Sequence, residues 1–237
     1  MNRIHMQNKG KLYGTGVGPG DPELVTLKAL RIMREADVIA VPGEIAAESV
    51  AWKIAVQACP EIADKKVIAL SMPMTKDKEV LAANHRKAAE LLEAELNTGA
   101  DVAYLMIGDP TIYSTYLYIR RLVSADGFET EIINGIPSFC AAAARTGEGL
   151  VELGEPLHVF PANYPVDQVL DTDGTCVLMK SGKKIKGVRE LLGKEKKREV
   201  ITVENCGMPN EKIYRGAEEI PDDAGYYSLI IVREEKA

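Results

Sequence analysis

Through the first 145 residues, short apolar runs alternate with longer amphipathic stretches, and that alternation leaves few folds open. Lys11 to Gly16 reads as a strand running into a glycine-rich loop, and Asp21-Pro22 then reads as a helix start. Asp21 has an oxygen for free N–H groups, and Pro22 loses nothing at a first helical position. Val25, Ala29, Ile32, Met33 and Ala36 recur at helical spacing, with Lys28, Arg31, Arg34 and Glu35 mostly away from them. Val38 to Val41 is a short buried-type strand ending at Pro42-Gly43. A helix follows near Ala47 to Val56, then a strand at Val67 to Leu70. Lys76 to Thr98 is the longest helical pattern, closed by Gly99. Val102 to Ile107 is a strand, Tyr113 to Val123 a helix, Thr130 to Ile133 a strand, and Ser138 to Arg145 a helix of small residues. Such alternation predicts a parallel sheet covered on both faces.

The rest of the chain changes character. Leu157 to Phe160, Thr175 to Met179, Val200 to Val203, Lys212 to Tyr214 and Tyr226 to Val232 read as strands. Turn signals at Met208-Pro209-Asn210 and Pro221-Asp222-Asp223 leave no room for crossover helices between the last three. That end is therefore expected to be partly antiparallel. The expectation is two α/β domains, 1–135 and 136–237, with a parallel sheet first and a mixed sheet second.

Composition excludes several function classes. At 237 residues the chain suits two compact domains, and its 46% hydrophobic and 27% charged residues are an ordinary globular balance. No apolar run approaches the length of a membrane span, and MNRIHMQNKGK lacks the apolar core of a signal peptide. Cys59, Cys140, Cys176 and Cys206 form no CxxC pair, so free thiols in a reducing cytoplasm are expected, with Cys140 packed in its small-residue helix. A net charge of −6 argues against general nucleic-acid binding. It leaves room for a small basic pocket.

Three loops carry candidate chemistry. In Gly14-Thr15-Gly16-Val17-Gly18-Pro19-Gly20-Asp21, four alternating glycines let a planar ligand approach the main chain. Pro19 breaks the Rossmann fingerprint, which speaks against a nucleotide-dependent oxidoreductase. Read alone, the loop is also an ordinary tight turn. Gly108-Asp109-Pro110-Thr111-Ile112-Tyr113-Ser114 follows a strand as well, so both loops should open at the carboxyl edge of the sheet, where ligands bind in such folds. Asp109 offers acceptors to a ligand amine or hydroxyl, or else caps a turn. In Asn134-Gly135-Ile136-Pro137-Ser138-Phe139-Cys140-Ala141, Ser138 opens a helix whose N–H groups suit a carboxylate, or simply caps it. His85 and His158 read as structural residues on a helix face and a strand.

GTGVGPGDPELVTLKALRIMREADVIAVP, GDPTIYSTYLYI, NGIPSFCAAAA, CVLMKSGKK and YYSLIIV, in that order, resemble the tetrapyrrole (corrin and porphyrin) methylases over nearly the whole chain. SMPMTKD and STYLYI resemble the branch acting on carbon 20 of precorrin-2 in cobalamin synthesis, including its cobalt-dependent members. Asn134 departs from the family, which more often has proline there. The resemblance implies two α/β domains with S-adenosyl-methionine folded in a cleft between them, a tetrapyrrole substrate, and a homodimer. Cobalt enters, if at all, as part of the substrate, and no protein metal site is implied. By motif position, Val17, Gly108, Asp109, Ile112, Ser138, Phe139, Met179 and Ala217 contact the cofactor. Tyr113 or Asp21 is the candidate proton acceptor. Arg120, Arg121, Arg145, Lys180, Lys183 and Lys184 lie near the motifs as candidate grips for substrate carboxylates, each also readable as a solvated surface charge. Alternatives are a methylase acting on another tetrapyrrole carbon, a non-catalytic tetrapyrrole carrier, or an RNA-directed methyltransferase on the same fold. The acidic balance disfavours the last.

Overall fold

The structure is a computed structural model that describes residues 9–73, 75–152, 154–161, 169, 171–181, 184–194 and 198–234. They divide into two compact units, 1–137 and 138–237.

The first unit is built on five parallel strands: β1 (Lys11–Gly16), β2 (Val38–Pro42), β3 (Lys66–Leu70), β4 (Val102–Met106) and β5 (Glu129–Ile133), in the order β3-β2-β4-β1-β5. Alternation along β4 shows why both faces are covered. Ala103 and Leu105 join one core with Ala29, Ile32 and Met33 of helix α1 (Leu27–Glu35) and Ala51, Ile54 and Ala55 of α2 (Val50–Ala58). Val102, Tyr104 and Met106 join the other with Ala88, Leu92 and Leu96 of α3 (Lys78–Leu96) and Tyr116, Ile119 and Val123 of α4 (Tyr116–Ala125). A strand buried on both sides must be apolar throughout, and β4 is (VAYLM).

Three helix starts differ from the sequence reading, each for a local reason. Asp21 caps only a 3-10 turn, Pro22–Leu24, because Val25 and Thr26 are extended. The Thr26 side chain then accepts from the Ala29 N–H, and α1 begins at Leu27, so Val25 is buried ahead of the helix and not on its face. The helix expected near Ala47 is a 3-10 turn, Ala46–Glu48, followed by α2. Tyr113 takes a left-handed backbone, φ 47°, which no α-helix tolerates, so α4 begins at Tyr116.

In the second unit β6 (Leu157–Pro161), β7 (Thr175–Met179), β8 (Arg198–Glu204), β9 (Lys212–Arg215) and β10 (Ser228–Glu234) lie in the order β6-β7-β10-β8-β9. Only β6 and β7 are parallel, so the sheet is mixed. Cys176, Leu178, Val200, Ile230 and Val232 form a core with Ile185, Val188 and Leu192 of α6 (Ile185–Leu192). The sequence reading had no helix there. α5 (Ser138–Thr146) packs on β10 and buries Phe139, Ala141, Ala142 and Ala143. Cys140 is exposed, contrary to the expected packing role, because Phe139, Ala142 and Ala143 at helical spacing already form the inward face.

Candidate functional site

β1 lies between β4 and β5, and all three run in parallel, so their following loops emerge side by side. The Val17 N–H donates to the Met106 carbonyl at 2.8 Å, and the Gly108 N–H donates to the Gly18 carbonyl at 2.8 Å. Gly18 and Gly108 both have φ 73°, the left-handed region that favours glycine. Gly16, Gly108 and Gly135 meet backbone to backbone. A Cβ at Gly16 would stand 2.6 Å from both the Gly108 oxygen and the Gly135 nitrogen. A Cβ at Gly135 would stand 2.1 Å from the same oxygen and 2.9 Å from the Gly16 Cα. The floor of this edge is therefore main chain, packed too closely for side chains.

Asp109 sits in that convergence at 6% exposure. Its Oδ1 accepts from the Thr111 N–H at 2.7 Å and from the Thr111 hydroxyl. Its Oδ2 accepts from the Asn134 side-chain amide and the Gly135 N–H, both at 3.1 Å. Burial alone would raise the pKa of this carboxyl, but the hydrogen bonds from Thr111, Asn134 and Gly135 outweigh it and hold the group below its ordinary value. The Asn134 carbonyl in turn accepts from the Thr26 hydroxyl at 3.3 Å. Sequence reasoning missed Thr111, Asn134 and Thr26 as partners. The Asp-x-Thr spacing signals the local turn, while nothing in the sequence ties residue 134 to residue 109.

Among the other expected cofactor residues of the first unit, Val17 is fully buried in the core, with its N–H already given to the Met106 carbonyl. The Ile112 N–H donates to the Asp109 carbonyl at 3.2 Å. Asp21 accepts from the Glu23 N–H at 3.0 Å at the end of the first loop. Tyr113 stands 43% exposed on the β4 loop. Thus Val17, Gly108, Asp109 and Gly135 are brought together, with Asp21, Ile112 and Tyr113 on the same loops.

The remaining positions belong to the second unit. Ser138 is the first residue of α5, and Phe139 is buried behind it. Met179 ends β7 opposite Leu229. Ala217 is buried in the core that α6 covers, which also takes Leu178, so alternation puts the Met179 side chain on the opposite face of the sheet. Lys180, next after Met179, has φ 62°, and burial lowers its pKa. Of the other candidate grips, Arg120 donates to the Thr130 hydroxyl at 3.0 Å, Arg121 lies 5.7 Å from the Tyr118 ring centre, and Arg145 pairs with Glu211 at 3.4 Å. Lys184 is exposed, and Lys183 lies outside the described residues. His85 stacks on Tyr118 with ring centres 5.2 Å apart, and His158 stacks on Phe160 at 6.1 Å, which matches their structural reading.

Comparison with known proteins agrees with this architecture. A probable cobalt-precorrin-2 C(20)-methyltransferase of Methanocaldococcus jannaschii is 36% identical, over 95% of this chain and 97% of that protein. A precorrin-2 C(20)-methyltransferase of a Sinorhizobium species is 30% identical, over 94% of this chain and 95% of its own. Among solved structures, uroporphyrin-III C-methyl transferase from Thermus thermophilus, complexed with S-adenyl homocysteine, superimposes with a TM-score of 0.70 at 21% identity, covering 94% of this chain and 92% of that one. Residues 11–221 match the family described as Tetrapyrrole (Corrin/Porphyrin) Methylases, and the chain belongs to that family.

Proposed function

We propose that this chain transfers a methyl group from S-adenosyl-methionine to carbon 20 of precorrin-2, or of its cobalt-bearing or oxidised counterpart, in cobalamin biosynthesis. The observation that carries the proposal is the identity of 36% and 30% to two relatives named for that carbon, along nearly the whole of each chain. The solved relative complexed with S-adenyl homocysteine supports the choice of methyl donor. Cobalt, where present, belongs to the substrate.

The residues fit such a donor in one specific respect. Gly16, Gly18, Gly108 and Gly135 let the loops after β1, β4 and β5 pack backbone to backbone, which holds the loops proposed to bind the donor at the carboxyl edge of the first sheet. The donor, when bound, supplies a methyl group already activated by its sulfonium. The protein therefore needs no nucleophile of its own, and its task is to hold two partners in line. Such positioning is worth roughly 7–11 kcal/mol of barrier. Val17, Gly108, Asp109 and Ile112 take part through the loops after β1 and β4, and Ser138, Phe139, Met179 and Ala217 through the second unit. The first-turn N–H groups of α5 behind Ser138 suit the donor's carboxylate. After methylation the meso carbon must release one proton. Asp21 offers a carboxylate to take it, and Tyr113 a hydroxyl to relay it. Lys180, half-buried beyond β7, grips a carboxylate arm of the macrocycle. The enzyme works as a homodimer in the cytoplasm, where a reducing compartment keeps thiols such as its four free cysteines unpaired.

The test uses carbon-13 methyl-labelled donor with metal-free and cobalt-loaded precorrin-2, reading the product by NMR. Label on carbon 20 of either substrate is expected. Label on a pyrrole-ring carbon would move the chain to another branch of the family, and no label on any tetrapyrrole would sink the proposal.

A further inference from the structure

We propose that Asp109 is a positioning residue whose carboxylate clips the loop after β4 to the loop after β5, with Asn134 as the chain's own second anchor for that clip. The inference rests on the donor-binding reading above only for its affinity readout.

Four donors converge at one buried point: the Thr111 N–H and hydroxyl, the Gly135 N–H and the Asn134 amide. An ionised carboxylate is acceptor-only and has about four lone-pair sites. Each Asp109 oxygen takes two donors, so the count is met from within the chain. A ligand hydroxyl or amine would have to displace one of them. The side chain is thus committed to holding loops, and any contact with the donor from this position comes from the backbone. Asparagine at 109 would turn an NH2 toward the donors on one side, so four converging donors call for an acid there.

Asn134 extends the clip. Its side chain reaches Asp109, and its carbonyl accepts from Thr26, whose hydroxyl caps α1 by accepting from the Ala29 N–H at 3.2 Å. The order Thr26, Asn134, Asp109, Thr111 joins the start of α1 to the loops after β5 and β4. A proline at 134 has no side-chain amide and would leave Oδ2 with the Gly135 N–H alone, so this chain ties the loop with one bond more.

The experiment measures S-adenosyl-homocysteine affinity by calorimetry and Gly135 amide exchange by NMR in the ligand-free chain. Asp109→Asn should weaken binding by roughly 10- to 100-fold, the usual effect of losing a charge-assisted hydrogen bond, and should speed Gly135 exchange at least about tenfold. Asn134→Ala and Thr111→Val each remove one donor and keep the acid. Both should weaken binding a few-fold, and the Asp109→Asn/Asn134→Ala pair should lose less than the sum. If Asp109→Asn does not fold, the two donor variants carry the test. Wild-type affinity in both donor variants overturns the clip; unchanged Gly135 exchange in Asp109→Asn beside lost affinity also overturns it and makes the acid a direct ligand contact. Failure of the wild-type chain to bind S-adenosyl-homocysteine would strike the proposed function instead, and the exchange measurement would still decide the clip.

Discussion

Gly135→Ala is the sharpest probe of the main-chain floor. The new methyl would stand 2.1 Å from the Gly108 carbonyl oxygen, where relaxed carbon–oxygen contact needs about 3.3 Å. One of the loops must retreat by about 1.2 Å, the difference of those two distances. No side chain can rotate away, because the atoms met are backbone of Gly108 and Gly16. Overpacking costs about 1–3 kcal/mol, and this case belongs near the upper end. At about 2–4 °C per kcal/mol for a chain of this size, the melting temperature should fall by roughly 6–12 °C. A displacement near 1 Å in a positioning loop should slow methyl transfer about 100-fold. Thermal melts followed by circular dichroism and initial rates with saturating tetrapyrrole check both numbers. Gly187→Ala is the control: α6 leaves nothing within 4 Å of a Cβ there, so relief of helix-interior glycine should stabilise by roughly 0.5–1 kcal/mol. A Gly135→Ala protein with wild-type melting temperature and rate would refute the backbone-contact account.

Glu131 accepts from Lys11 and Lys28, both at 2.7 Å, and those bonds lower its pKa to about 2. A depressed folded pKa gives stability that is full above the ordinary glutamate range and fades as pH falls toward 2. Partly exposed pairs are screened, so wild type should exceed Glu131→Gln by at most about 1 kcal/mol at pH 6, and a gap that does not shrink on acidification argues against the pairing. Tyr104 is fully buried, and its hydroxyl has no hydrogen-bond partner among the described residues, so Tyr104→Phe should raise stability in urea by about 1 kcal/mol; a loss of that size would show that the hydroxyl is satisfied. Lys180→Gly should keep or raise the melting temperature, since φ 62° suits glycine. It should also slow methylation of the carboxylate-rich substrate, and an unchanged rate removes Lys180 from the grip.

Much of the first unit was legible because its signals are local. The apolar run of β4 and the glycines after β1 and β4 state a strand and a loop within a few residues. Helix starts were less legible: Asp21-Pro22 reads as the start of α1, and only the extended backbone at Val25 and Thr26 cuts that start to a 3-10 turn and moves the helix to Leu27. α6 escaped notice because Gly187 and the neighbouring lysines mask a period carried by Ile185, Val188 and Leu192 alone. The partners of Asp109 were illegible for a different reason. Residues 109 and 134 meet only once β1 has paired with β4 on one side and β5 on the other, and that register is a property of the sheet.

The position of β10 bears on how the chain can be made. The first sheet has all its strands once Ile133 is available, so its hydrogen-bond ladders can close while later residues are still being synthesised. The second sheet cannot behave that way. Its central strand, bonded to β7 on one side and β8 on the other, is Ser228–Glu234, the last strand in chain order. Until those seven residues leave the ribosome, β6 with β7 and β8 with β9 are two separate pairs, each with an open edge that invites the wrong partner. Stopping translation after Tyr227 should therefore leave a nascent chain with a protease-resistant first half and a second half that chaperones hold.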